Sequence, residues 1–171
     1  MNNLYKFKKY FVFGWELFKR SIVAGDKYAT YLSVDRDKNS YGAKTLWVKG
    51  RIVGKNVTTG AVSPERVPGT FTEDRDHKYP AGRYEFECVE DSEWWCFPFK
   101  TKDDSPNAQA IRLSAGESIE LSPGQRAVIV YGEALVDGDP IIDVPFSIQK
   151  DLSCVITAAT QTYGFLIDRD K

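Results

Sequence analysis

Histidine is nearly missing from this chain: His77 is the only one in 171 residues. Imidazole-based metal centres draw on several histidines, so first-row transition-metal chemistry has no obvious ligand set. A Ser-His-Asp or Cys-His catalytic arrangement would have to pass through this one ring. No Gly-x-Ser-x-Gly turn, no Gly-x-x-x-x-Gly-Lys phosphate loop and no Gly-x-Gly-x-x-Gly fingerprint occurs. Cysteine is also scarce. Cys88, Cys96 and Cys154 are an odd number without metal spacing and read as free thiols. A net charge of −1 leaves no global field to recruit nucleic acid or acidic substrates. No apolar run approaches the ~20 residues of a membrane span. Lys6, Lys8 and Lys9 are followed by Glu16, Lys19 and Arg20, which is not the pattern of a signal peptide.

What the chain does have is a globular composition, 42% hydrophobic and 27% charged, with aromatics at 13%. One well-buried core is within its reach. The stretch from Gly116 to Gly138 organises the rest. Ile119 and Leu121 alternate with polar neighbours, as in a half-buried strand. Ser122-Pro123-Gly124-Gln125 suits a type II turn. Ala127 to Tyr131 is an unbroken apolar run, as in a strand covered on both faces, so Val128 and Val130, or Ile129, are expected to be fully buried. The chain then continues or bends at Gly132. Asp137-Gly138 is a strong hairpin signal.

Other segments read as further strands. They include Tyr28–Val34, Lys44–Val53 with a break near Gly50, 111–113, 142–148, 152–158 and 163–167. Tyr84, Phe86 and Cys88 alternate with Arg83, Glu85 and Glu87. Glu90-Asp91-Ser92-Glu93 then reads as a polar turn and Trp94–Phe99 as a return strand that Pro98 pushes to an edge. A Cys88–Cys96 disulfide across that turn is the alternative to free thiols. Glu73, Asp74 and Asp76 could hold a hard cation, but a solvated loop is the plainer reading. The carboxylates of the 90–93 turn likewise read as solvated rather than acid–base groups. Trp94 and Trp95 must face opposite ways, so one ring is available to stack on a glycan or to enter an interface.

Residues 1–25 stand apart. Leu4, Phe7, Phe11, Trp15, Phe18 and Ile22 recur at spacings of three and four, which favours an amphipathic helix broken at Gly14. A strand reading competes, because Tyr5, Phe7, Phe11, Phe13, Trp15 and Leu17 are all odd-numbered. Phe7, Phe11, Trp15 and Phe18 are the candidate contacts of an attachment arm. Deleting residues 1–25 would on this reading leave a folded body, and residues 26–171 form one β-sandwich domain.

The stretch Leu113-Ser114-Ala115-Gly116-Glu117, then Pro123-Gly124, then Gly132-Glu133, resembles the closing strands of a cupin jelly roll. Ala81 to Phe97 (AGRYEFECVEDSEWWCF) is similar to cupin-like proteins encoded by tailed bacteriophages. The resemblance spans about Gly82 to Ile167. It implies an all-β, cupin-like jelly-roll body. Enzymatic cupins bind a metal through a His-x-His motif and a later His. Here Ala127, Val128 and Ile129 stand where the later His would follow Pro123-Gly124. Gly132-Glu133-Ala134-Leu135 also resembles the phosphate phrase of cyclic-nucleotide domains, but Ile141 stands where an Arg would follow Pro140.

The expected function is therefore a non-catalytic structural or interaction protein without cofactor. Its concrete form is a phage tail or capsid component present in several copies, located in the virion or otherwise in the cytoplasm. Its partners would be other virion proteins or copies of itself. A carbohydrate-binding module for host recognition and a small metal-free cupin-type enzyme are the alternatives.

Overall fold

In a computed structural model the described residues are 6–32, 42–73, 82–99 and 106–168, and all their regular structure is β. Asp74, Asp76 and His77 lie outside them. No helix among them is long and apolar enough to cross a membrane. The chain divides into two compact units. Residues 1–11 and 15–105 form the first, and 12–14 with 106–171 the second.

The first unit is one antiparallel sheet built on two long strands. These are β4 (Gly42–Asn56) and β6 (Gly82–Phe99). β1 (Lys6–Val12) and β2 (Trp15–Ile22) lie on one side of β6 and β5 (Phe71–Glu73) lies beyond β4, in the order β1-β2-β6-β4-β5. β3 (Lys27–Leu32) takes the same edge of β6 as β2, but pairs with Gly82–Glu87 where β2 pairs with Ser92–Cys96.

The turn expected at Glu90–Glu93 is not made. β6 runs through it for 18 residues. The polar residues bend the strand instead of reversing it. Ser92 tucks inward, with its Oγ donating to the Glu90 carbonyl at 2.7 Å, and Asp91 Oδ1 accepts the Ala24 N–H at 2.8 Å. Opposite, β4 shifts register between Trp47 and Ile52, which is how bulges let a sheet curve over its core. Pro98 sits near the strand's end, opposite Ala43, so β6 is interior for most of its length. Cys88 and Cys96 are eight residues apart on this one strand, on the order of 25 Å, beyond a disulfide's reach. All three cysteines are free and buried. The core over this bend holds Ile22, Trp47, Ile52, Tyr84, Phe86, Cys88 and Trp94.

Gly50 makes the bend feasible. Its φ is +86°, and a Cβ there would stand 2.6 Å from Ser92 Cα and closer still to Ser92 Oγ and the Asp91 carbonyl. Gly50→Ala is expected to cost about 2 kcal/mol or more, since both the left-handed backbone and the neighbouring strand oppose it. Urea unfolding would read this as a lower midpoint. An unchanged midpoint would contradict the account of the bend.

The second unit is a jelly roll. Its strands are β7 (Ala108–Leu113), β8 (Ser118–Leu121), β9 (Arg126–Tyr131), β10 (Ala134–Val136), β11 (Asp139–Pro140), β12 (Phe146–Gln149), β13 (Cys154–Ala158) and β14 (Thr162–Ile167). They pair from the outside inward: first with last, second with seventh, third with sixth, fourth with fifth. The result is two four-stranded sheets, β12-β9-β14-β7 and β11-β10-β13-β8, the nested order of a double-sheet jelly roll. The roll begins at β7, so β6, which the cupin resemblance took in, belongs to the first unit. Gly124 has φ +77° and the Gln125 N–H bonds the Ser122 carbonyl at 3.0 Å, the expected type II turn. It carries the chain from one sheet to the other. Gly132 is where the chain bends back. Asp137 and Gly138, both at positive φ, close the expected hairpin.

Candidate functional site

The N-terminal segment is a β-hairpin, not a helix. Phe13 and Gly14 sit at φ 51° and 86°, the two positive values of a type I′ turn. β2 is fixed by pairing Phe18–Ile22 with Ser92–Cys96. Val12, Leu17 and Ile22 are buried. The segment read as a separate arm is therefore partly core.

A strand's period of two sorts the four candidate aromatics differently from a helix. Phe7 and Phe11 share a face of β1, and Phe18 joins them, its ring 5.9 Å from Phe7 and edge-on. Trp15 falls on the opposite side of β2 and is half-buried. Phe7 and Phe11 are 61% and 70% exposed. Lys9 lies between them in sequence. Its Nζ is 5.8 Å from both the Phe11 and Phe18 ring centres and 3.2 Å from Glu16 Oε1. Arg20 stands 5.7 Å over Phe18. Such contacts contribute about 0.5–1 kcal/mol each at exposed sites, enough to hold rings and cations in one mixed array. On the other face Tyr10 packs 5.4 Å from Trp95, and Lys19 bridges to Glu93 at 3.3 Å.

Trp94 and Trp95 do face opposite ways, yet both are buried, at 6% and 1% exposure. Trp94 stacks with Tyr28 and Trp47, and Trp95 Nε1 donates to Glu93 at 3.2 Å. A sugar platform needs an open ring face, which neither presents. Sequence reasoning missed Trp47 and Tyr28 as partners of this cluster. Only the register of β3 and β4 against β6 brings them in. Trp47 Nε1 is buried and meets no acceptor among the described residues.

The interior of the jelly roll is filled. Ile111, Leu113, Leu121, Ala127, Ile129, Ile148 and Ile156 meet there in one apolar cluster. Cys154 is its one titratable member, and burial pushes its thiol up. Burial does the same to Cys88 in the first unit, against an opposing hydrogen bond to Ser92. Thiols held protonated are poor nucleophiles and poor metal ligands. Asp137 lies below its ordinary value through hydrogen bonds from Lys150 Nζ and the Val155 N–H, each 2.8 Å, and serves its turn. Among the described residues no three His, Cys, Asp or Glu side chains gather as a metal site would require.

No protein-family model and no curated protein sequence matches the chain. Its fold is nonetheless shared with solved structures. YhhW from Escherichia coli superposes with a TM-score of 0.56 at 10% identity, over 99% of this chain and 92% of that one. The conserved protein PA5104 from Pseudomonas aeruginosa PAO1 does so at 0.57 and 9%, over 98% and 89%. A second structure of YhhW, there called a bacterial pirin and solved in complex with nickel(II), gives 0.52 and 9%, over 99% and 94%. Identities this low speak for the fold alone, and no name among these three points to a virion. The described residues have an all-β, cupin-like fold whose second unit is a double-sheet jelly roll.

Proposed function

We propose that this is a cupin-type protein that works by binding rather than by catalysis, with its N-terminal hairpin as the contact surface. One observation carries the reading: Phe7 and Phe11 stand 61% and 70% exposed on one face of one strand, beside Phe18 and two cations. Ile142 and Leu152 are more exposed still, but as single side chains in loops, which is ordinary. Large rings gathered on a face dominate interface energetics. The apolar cluster of the jelly roll supports the same view, and Thr162, buried beside it, commits its hydroxyl to the Glu133 and Thr160 carbonyls.

Photo-crosslinking in the native cell tests this. A benzophenone amino acid at position 11 is expected to give a discrete adduct, while the same group at the exposed position Ile142 gives only background. Equal background at both positions would sink the reading. A phage tail or capsid role is its narrower form and requires the adduct to be another virion protein.

A second reading, a small cupin-type enzyme or ligand carrier, draws on Trp47, whose buried indole N–H has no acceptor among the described residues. Metal content bears on it. YhhW was solved with nickel(II), but the residues described here do not fit a metal, and His77 is the chain's one imidazole. Purified protein is expected to hold less than about 0.1 equivalent of Ni, Zn, Fe, Mn or Cu. Stoichiometric metal in elemental analysis would favour the second reading.

A further inference from the structure

Resting on the hairpin as a contact surface, we propose that strand β1 accepts an extended acidic polypeptide segment as an added strand. Among the described residues β1 is hydrogen-bonded on one side only, to β2, and ends the sheet order. A strand paired on one side turns every second N–H and C=O outward, a row that another strand satisfies in full.

The side chains beside this row select the occupant. Residues 7–22 carry Lys8, Lys9, Lys19 and Arg20 against Glu16 alone, on a chain whose net charge is −1. Lys9 and Lys19 have carboxylate partners in Glu16 and Glu93. Lys8 lies 5.2 Å over Tyr10 and has none among the described residues. Pairing with a second copy would bring the lysines of two β1 strands together, the repulsion that edge lysines ordinarily provide. The same lysines attract carboxylates. Phe7 and Phe11 bracket Lys9 on one face, so an added strand with apolar–acidic–apolar alternation meets all three. An anionic bilayer would match the rings and the charge, but would leave the outward backbone row unpaired.

The probe is a short fluorescein-labelled peptide with valine, glutamate and valine at every second position, which places them on one face, and threonine between them, titrated with the full chain by anisotropy. Saturable binding is expected. Lysine in place of glutamate, or N-methylation of alternate peptide amides, should each weaken it at least about tenfold, the first removing charge complementarity and the second the ladder. K8E/K9E should weaken it by a similar factor. The N-methylated arm needs no protein variant, so the test survives if that variant misfolds. The proposal is overturned if the glutamate peptide does not bind, if the lysine peptide binds equally, if N-methylation has no effect, or if only phosphatidylserine vesicles bind. A discrete crosslink from position 11 together with a silent peptide would remove the added strand and leave the hairpin reading standing.

Discussion

Val130→Asp is expected to leave the second unit without a cooperative folded state. Val130 lies in β9, which is flanked on both sides, by β12 and by β14. Ala127, Val128, Ile129 and Val130 are each 0% exposed. Both faces of this strand are therefore covered, as the unbroken apolar run implied. An aspartate here must be buried charged or buried protonated without a partner. Either costs several kcal/mol, a large part of the roughly 5–15 kcal/mol that holds a domain together. Loss of the second unit's melting transition, and of amide hydrogen-exchange protection over β9, β12 and β14, is the expected readout. A melt like that of the parent would show that β9 is not covered on both faces.

Deleting residues 1–25 is expected to unfold the first unit, the reverse of what an independent arm would do. β2 supplies the partner for β6 over Ser92–Cys96, so its removal opens that edge. Leu17 and Ile22 are 0% and 3% exposed. Burial of each contributes about 1.5–3 kcal/mol, and their joint loss takes a large part of the roughly 5–15 kcal/mol that holds a domain together. Insoluble or non-cooperative material is the predicted outcome. A soluble truncation melting within a few degrees of the parent would restore the arm as a separate segment.

The helix expected over residues 1–25 failed for a definite reason. Phe7, Phe11 and Trp15 are four apart, a spacing that fits one turn of helix and also the even spacing of one strand face. The turn that decides between them is Phe13-Gly14, not the Asn-Gly or Asp-Gly that marks such turns in sequence. In the second unit Pro123-Gly124 and Asp137-Gly138 gave the same chemistry in sequence and in structure. What they could not give is which sheet each strand enters. A type II turn between β8 and β9 looks alike in sequence whether it joins neighbours or crosses between sheets. The four polar residues at Glu90–Glu93 read as a reversal because a bend and a turn both recruit Ser, Asp and Glu. At the candidate site, the exposure of Phe7 and Phe11 was legible as an excess of rings. The burial of Trp94 and Trp95 was not, since it depends on Tyr28, Trp47 and Tyr10 from three other strands.

On the proposed function the hairpin serves two ends, structural through Leu17 and Ile22 and binding through Phe7 and Phe11. The variant F7S/F11S separates them. The measurement is the crosslinking yield from a benzophenone group at position 9 in this variant, with the melting temperature taken on the same protein. The account predicts a melt within a few degrees of the parent, because both rings are mainly in solvent, and a yield reduced to the Ile142 background. An undiminished yield, or a collapse of the melt, would contradict it.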